Sequence, residues 1–278
     1  MSIAPVQERL ASIDNRREDV LALHQPTIER VIQAMHTHIC TTLSLEDMAD
    51  IACLSPYYFS RIFHQIVGIP PGEFLATLRL EAAKQLLLRT SMSVTDICFE
   101  VGYIGLGSFT TRFTQQVGVA PRHLRRLVAP LDGQQESAPA PQEPNIMNVL
   151  MSDKKPSPQL HILSGQVYCM ADFRGSIYMG LFPKPIPQGN PISCTILTAP
   201  GTYQIPTHRV PAGNYYLLVA AFPPADNPRS YLLTDGPQFV AIHGPVVIQH
   251  KMPQLPVDIL LRPADITDPP LLSAVPFI

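Results

Sequence analysis

Four side chains that can hydrogen-bond to base pairs or phosphates lie along one face of a short predicted helix. The helix begins at Ser55-Pro56, and its outward positions carry Tyr57, Ser60, Arg61 and His64. The opposite, apolar positions are Phe59, Ile62 and Phe63, at the spacing of an α-helix. Because a guanidinium can donate two hydrogen bonds to the edge of guanine, Arg61 is the best candidate for direct base readout. The alternative is a solvated surface arginine.

The element that carries these side chains belongs to a pattern that occurs twice, fifty residues apart. The repeated residues are Phe59, Phe63, Gly68 and Pro71 in the first copy, and Phe109, Phe113, Gly118 and Pro121 in the second. A short amphipathic stretch precedes each copy, Leu45–Ala52 and Val94–Val101, and leads into a turn. Two helix–turn–helix units present two helices side by side, which is a way to bind the major groove of double-stranded DNA.

Capping residues predict where these helices begin and end. Ser44 with Asp47, Ser55 with Pro56, and Ser93 have the pattern of helix starts, and we expect Ser108 to open the second recognition helix. Glycines at 68 and 118 are expected to end the two recognition helices. Residues 73–89 form a long predicted helix between the two units.

Composition restricts the class of DNA-binding protein. The formal net charge is −2, which excludes a generally basic, histone-like binder. Between Ala22 and Ala129 nine Lys and Arg stand against eight Asp and Glu, so DNA binding requires the positive side chains on one face. Five Cys without close pairs argue against a disulfide framework, and neither a leader nor a membrane-spanning apolar run is found. We therefore expect a cytoplasmic protein.

A change in composition near residue 130 divides the chain into two kinds of structure. Most of the 30 Pro lie after it, whereas helical periodicity lies before it. We predict an N-terminal arm (1–25), an all-α double helix–turn–helix, homeodomain-like domain (26–129), a Pro-rich linker (130–158) and a β domain (159–278). Within the linker, residues 146–151 are apolar and are either a short docked helix or part of the linker.

The last 120 residues alternate with a period of two between turn residues, as strands do. Predicted strands are 161–167, 175–182, 193–198, 201–205, 214–221, 240–242, 246–250 and 257–261. Seven or eight short strands joined by Pro and Gly turns favour an antiparallel β-sandwich. The predicted fold class is thus multidomain, α followed by β.

The helical half resembles the DNA-binding domain of AraC-type (AraC/XylS) transcriptional regulators over about residues 27–126. The matching segments are Ser55–Phe63, Arg79–Leu87, Val94–Ile97, Val101–Tyr103, Ser108–Phe113 and Gly118–Pro121, followed by Arg125. The resemblance implies a bacterial, sequence-specific DNA-binding regulator whose two units enter successive major grooves of double-stranded DNA. Grooves on one face of DNA are about 34 Å apart, within reach of one small domain.

The second recognition helix departs from the usual pattern of that family. Its candidate DNA-binding residues are Leu106, Gly107, Ser108, Thr111 and Arg112, with the arginine displaced by one position. We therefore expect this helix to depend on backbone approach and phosphate contacts more than on base readout, with Leu106 available for a thymine methyl group. Arg122, Arg125 and Arg126 are either further phosphate contacts or a solvated helix end.

The segment around Val210-Pro211-Ala212-Gly213 resembles the transthyretin-like or carboxypeptidase-regulatory-like β-sandwich. Such modules bind or assemble, so we expect a small-molecule effector or a protein partner there, and a homodimer is allowed but not required. No catalytic motif, cofactor site or metal site is expected, although a Cys194–His208 couple stays open. Cys40, Cys53 and Cys98 are expected in the core. The alternative function is a ligand-binding or protein-interaction module whose DNA-binding domain is weak or vestigial.

Overall fold

The computed structural model describes residues 4–41, 43–128, 162–170, 172–225, 227–234, 236–249 and 254–274. The predicted linker and its apolar segment 146–151 lie outside these residues. The helices are α1 (Ala4–Thr37), α2 (Leu45–Ala52), α3 (Pro56–Val67), α4 (Pro71–Arg89), α5 (Val94–Glu100), α6 (Leu106–Val117) and α7 (Pro121–Val128). The first helix starts well before the periodicity that begins at Thr27, since α1 also includes most of the polar segment predicted as an arm.

The predicted caps of α2, α3 and α5 are confirmed. Ser44 and Asp47 form a complete capping box, and Ser55 accepts a hydrogen bond from the Tyr58 amide with Pro56 in the first turn. Ser93 caps α5 in the same way. The prediction that Ser108 opens α6 is wrong, because α6 begins at Leu106 with Gly105 as its N-cap. Ser108 lies in the first turn, where its hydroxyl donates to the Gly105 carbonyl at 2.8 Å.

The capping box gives Asp47 a pH dependence that can be measured. The Ser44 backbone N–H, and then the Ser44 side chain, hold the pKa of the Asp47 carboxyl below its ordinary 3.8. A lowered pKa in the folded state means that this group stabilises the fold above about pH 4, and that the contribution is lost as pH falls through the lower folded-state pKa. We expect Ser44→Ala to raise the pKa of Asp47 towards 3.8, measured by NMR titration of its carboxyl. An unchanged pKa would contradict the role of the Ser44 hydroxyl.

The chain divides into two compact units. The first contains α1 to α3, α4 as far as Arg79, and residues Asp265–Pro269; the second contains the remainder. In the first unit, the rings of Phe59, Phe63 and Phe74 contact one another edge to face at 5.6 and 5.7 Å between centroids. Arg79 donates to the carbonyls of Ile39 (3.0 Å) and Thr41 (2.7 Å), which ties α4 to the end of α1.

The second unit contains seven strands among the residues described. They are β1 (Ile162–Cys169), β2 (Ser176–Phe182), β3 (Ser193–Leu197), β4 (Thr202–Pro206), β5 (Gly213–Phe222), β6 (Phe239–Ile248) and β7 (Ile259–Pro263). Two predicted strands, 240–242 and 246–250, are a single strand, because β6 pairs with β5 along almost its full length. The ladder shifts register between Tyr215 and Leu217.

The strands form one sheet in the order β3-β2-β5-β6-β7-β1-β4. It is not wholly antiparallel, because β1 and β7 pair in parallel. The Ser193 hydroxyl of β3 donates to the Pro206 carbonyl of β4 at 2.6 Å, so the two outer strands of the order meet. The sheet is therefore barrel-like, and the predicted two-layer antiparallel sandwich is not supported.

Each of two central strands buries both of its faces. Ile177, Met179 and Leu181 of β2, with Leu217 and Val219 of β5, belong to the core of the barrel-like sheet. The alternate residues Tyr178 of β2 and Phe222 of β5 belong to a second cluster, formed with α4 to α7. Since side chains alternate across a strand, this sheet is packed on both sides. The sheet and the second helix–turn–helix thus share a hydrophobic core.

Candidate nucleic-acid interface

α3 presents the predicted polar face. Tyr57 is 81% exposed, and Arg61 and His64 are also exposed, whereas Ser60 is half-buried. The opposite face, Phe59, Ile62 and Phe63, is buried to at least 99%. The buried phenylalanines anchor the helix, so its polar side chains project from a rigid support.

The Arg61 side chain lies against an aromatic ring of its own helix. Its guanidinium carbon is 5.4 Å from the centroid of the Tyr58 ring, three residues earlier. The Tyr58 hydroxyl is 3.2 Å from Nε2 of His24, whose ring meets the tyrosine ring edge to face. This stack restricts Arg61 before any ligand binds. We did not select Tyr58 from the sequence as a site residue, although its spacing of three from Arg61 is the signal that could have found it.

α6 presents a less polar face. The five residues predicted for this helix are all exposed, and so is Gln115; the five are Leu106, Gly107, Ser108, Thr111 and Arg112. Phe109 and Phe113 on the opposite face are fully buried. A Cβ atom built on Gly107 would meet nothing within 4 Å, so the backbone there is open to close approach. One hydrogen bond of Ser108 is already used within the helix.

Two exposed apolar residues beside α6 were not selected from the sequence. Phe99, at the end of α5, is 56% exposed, and Ile104, in the turn, is 94% exposed. With Leu106 they make the surface next to α6 more apolar than that of α3.

The arginines of α7 differ from one another. Arg122 and Arg126 are exposed, whereas Arg125 is half-buried and its Nε donates to the Leu87 carbonyl at 3.2 Å. The guanidinium of Arg125 therefore holds α7 against α4, and the two exposed arginines remain available for phosphates.

Two cysteines occupy different environments from those expected. Cys98 is buried as predicted, but Cys40 and Cys53 are exposed. Cys53 ends α2 in the left-handed conformation (φ 54°), which turns it out of the helix. In the sheet, burial raises the pKa of the Cys194 thiol to about 11, which disfavours a nucleophilic thiolate. Within the described part of the chain, no three His, Cys, Asp or Glu residues are grouped so as to hold a metal ion.

None of the described helices combines the length and the apolar character needed to span a lipid bilayer.

Residues 48–127 match a protein family described as "Helix-turn-helix domain". The HTH-type transcriptional regulator AlkR of Acinetobacter baylyi is 29% identical over 121 residues, 44% of this chain and 40% of AlkR. The bifunctional transcriptional activator/DNA repair enzyme AdaA of Bacillus subtilis is 31% identical over 100 residues, 36% of this chain and 47% of AdaA. The chain thus spans less than half the length of these relatives.

Among solved structures, the C-terminal domain of AraT, a response regulator from Geobacillus stearothermophilus, is 32% identical to this chain. The similarity covers 40% of this chain and 93% of that domain, with a TM-score of 0.37. The transthyretin-like resemblance of the β domain is not confirmed. The helical segment of this protein, residues 48–127, is an AraC-type helix-turn-helix domain.

Proposed function

We propose that this protein is a sequence-specific DNA-binding transcription regulator whose helices α3 and α6 enter successive major grooves. The observation that carries the proposal is the pair of matched helices, each of which buries two phenylalanines on one face and exposes the opposite face to solvent. The similarity to HTH-type transcriptional regulators supports it.

The two helices have different roles in this proposal. α3 reads bases through Arg61, with Tyr57, Ser60 and His64 beside it. α6 approaches the duplex closely at Gly107, contacts phosphates through Ser108, Thr111 and Arg112, and offers Leu106 to a thymine methyl group. The exposed arginines of α7 add phosphate contacts. Because the helical domain has almost no net charge, these few cations provide the electrostatic attraction.

The β domain acts as a sensing or assembly module and not as an enzyme. A small-molecule effector or a protein partner binds to it, and a homodimer is compatible with two recognition helices on one chain. This role places the protein in the bacterial cytoplasm, with the DNA. The alternative function, a ligand-binding or protein-interaction module with a vestigial DNA-binding domain, is favoured by the near-neutral charge and the apolar surface beside α6.

A salt titration separates the two functions. Bound fragments are first selected from genomic DNA, and affinity is then measured between about 50 and 200 mM salt. Over this range, a protein that makes several phosphate contacts loses affinity by about tenfold or more. With Arg112, Arg122 and Arg126 on phosphates, we expect log K to fall against log salt with a slope of about −3. A shuffled fragment of equal length is the control. Binding without sequence preference or salt sensitivity would support the alternative function.

A further inference from the structure

The C-terminal end of α6 is held by backbone groups of the β domain. The last carbonyl groups of an α-helix have no partner within the helix. In α6, the Gln116 carbonyl accepts a hydrogen bond from the amide of Gly189, in the loop between β2 and β3. The Val117 carbonyl accepts one from the amide of Ala274, at 3.0 Å. Two separate segments of the β domain therefore cap one recognition helix.

These two segments also support each other. The amides of Leu272 and Ser273 both donate to the Pro187 carbonyl, at 3.2 and 3.1 Å. Leu272 and Ala274 are fully buried, in the same hydrophobic cluster as Phe109 and Phe113 of α6. The loop and the segment after β7 are therefore bonded to each other, and the segment also packs against the buried face of α6.

Gly189 fits this place for two reasons. Its φ of +67° lies in the left-handed region, which residues other than glycine adopt only at a cost in conformational energy. A Cβ atom built on it would lie 2.8 Å from the Gln115 carbonyl of α6, too close for a real contact. Any larger residue must therefore push α6 and the loop apart.

Polar side chains strengthen the same contact between the sheet and the helices. Lys84 of α4 is 4% exposed, pairs with Glu81 at 2.7 Å, and donates to the Leu271 carbonyl at 2.6 Å. Arg89 donates to the Leu233 carbonyl at 2.6 Å. Arg229, in the short 3₁₀ helix Pro228–Leu233, donates to the last turn of α7. Helices α4 and α7 are thus bonded to segments of the β domain that lie between or after its strands.

We propose that Gly189 is a positioning residue for DNA recognition, through which the β domain sets the placement of α6 in its half of the binding site. The inference rests on the proposed function. It assigns the β domain a direct part in DNA recognition: a molecule that binds near the Ile186–Gly189 loop or residues 271–274 changes the contacts of α6 with the DNA.

The test compares Gly189→Ala with Gly236→Ala in the full chain. Gly236 also has a positive φ (+117°), but a Cβ atom there would meet nothing within 4 Å, so the backbone strain is retained without the contact. Affinity is measured on the selected binding site and on versions shortened by the removal of either half. We expect Gly189→Ala to weaken binding to the intact site by about tenfold, the size of one lost contact to the DNA. On the site that lacks the α6 half we expect no loss, and Gly236→Ala should match the unchanged protein on every site.

Hydrogen exchange of α6 distinguishes failure of this inference from failure of the proposed function. We expect faster exchange in the last turn of α6 for Gly189→Ala than for Gly236→Ala. The inference is wrong if the unchanged protein binds its site and Gly189→Ala binds the intact site equally well. It is also wrong if Gly189→Ala loses affinity equally on the two shortened sites. If the unchanged protein binds no specific DNA, the proposed function fails, and the exchange rates alone then decide whether Gly189 positions α6.

Discussion

Replacing Phe222 by Ala is expected to lower the free energy of unfolding of the second unit by about 3–5 kcal/mol, the range for a fully buried phenylalanine. Phe222 is 1% exposed. Its ring lies 4.8 Å from that of Tyr231 and 6.0 Å from that of Tyr178, between centroids. The cavity would open in the cluster that the sheet shares with α4 to α7, so the helices and the strands should lose protection together.

Hydrogen exchange of separate peptides measures this loss. Peptides from α6 and from β5 should both exchange faster in Phe222→Ala. Phe173→Ala is the matched control, because Phe173 packs on Phe239 inside the barrel-like core, at 5.4 Å between ring centroids. Its effect should be strongest in the strands. If α6 kept its full protection in Phe222→Ala, the shared core would not stabilise the recognition helix.

Replacing Arg61 by Ala is expected to weaken binding to the selected site by about 1–3 kcal/mol and to relax base preference at one position. The guanidinium projects from α3 and lies over the Tyr58 ring, so little conformational entropy is lost when it binds a guanine. Arg61→Lys keeps the charge but cannot donate the same pair of hydrogen bonds. We expect it to recover the nonspecific affinity and not the base preference.

The control for Arg61 is Arg30→Ala, which removes an exposed arginine from α1. Affinity and preference are measured on all four bases at each position of the site. If Arg61→Ala weakened binding equally on every sequence, Arg61 would be a phosphate contact. If Arg30→Ala matched it, the loss would reflect only the total charge.

Local interactions determined the features that could be read directly from the chain. Ser44, Ser55 and Ser93 cap helices because a side-chain oxygen reaches an amide three residues later, whatever the rest of the fold does. The spacing of Phe59 and Phe63, and of Phe109 and Phe113, identified the buried faces of α3 and α6, and so the exposed faces opposite. Alternation in the β domain located the seven described strands to within a few residues, although it divided β6 into two.

Only the tertiary structure decided how distant segments meet. The parallel pairing of β1 with β7 and the contact between Ser193 and Pro206 join residues far apart in the chain, and no local pattern specifies such pairings. The exposure of Cys53 depends on the backbone conformation at the end of α2. The support of α6 by Gly189 and Ala274 is invisible in the sequence, because backbone amides form it and their placement depends on how the whole sheet folds.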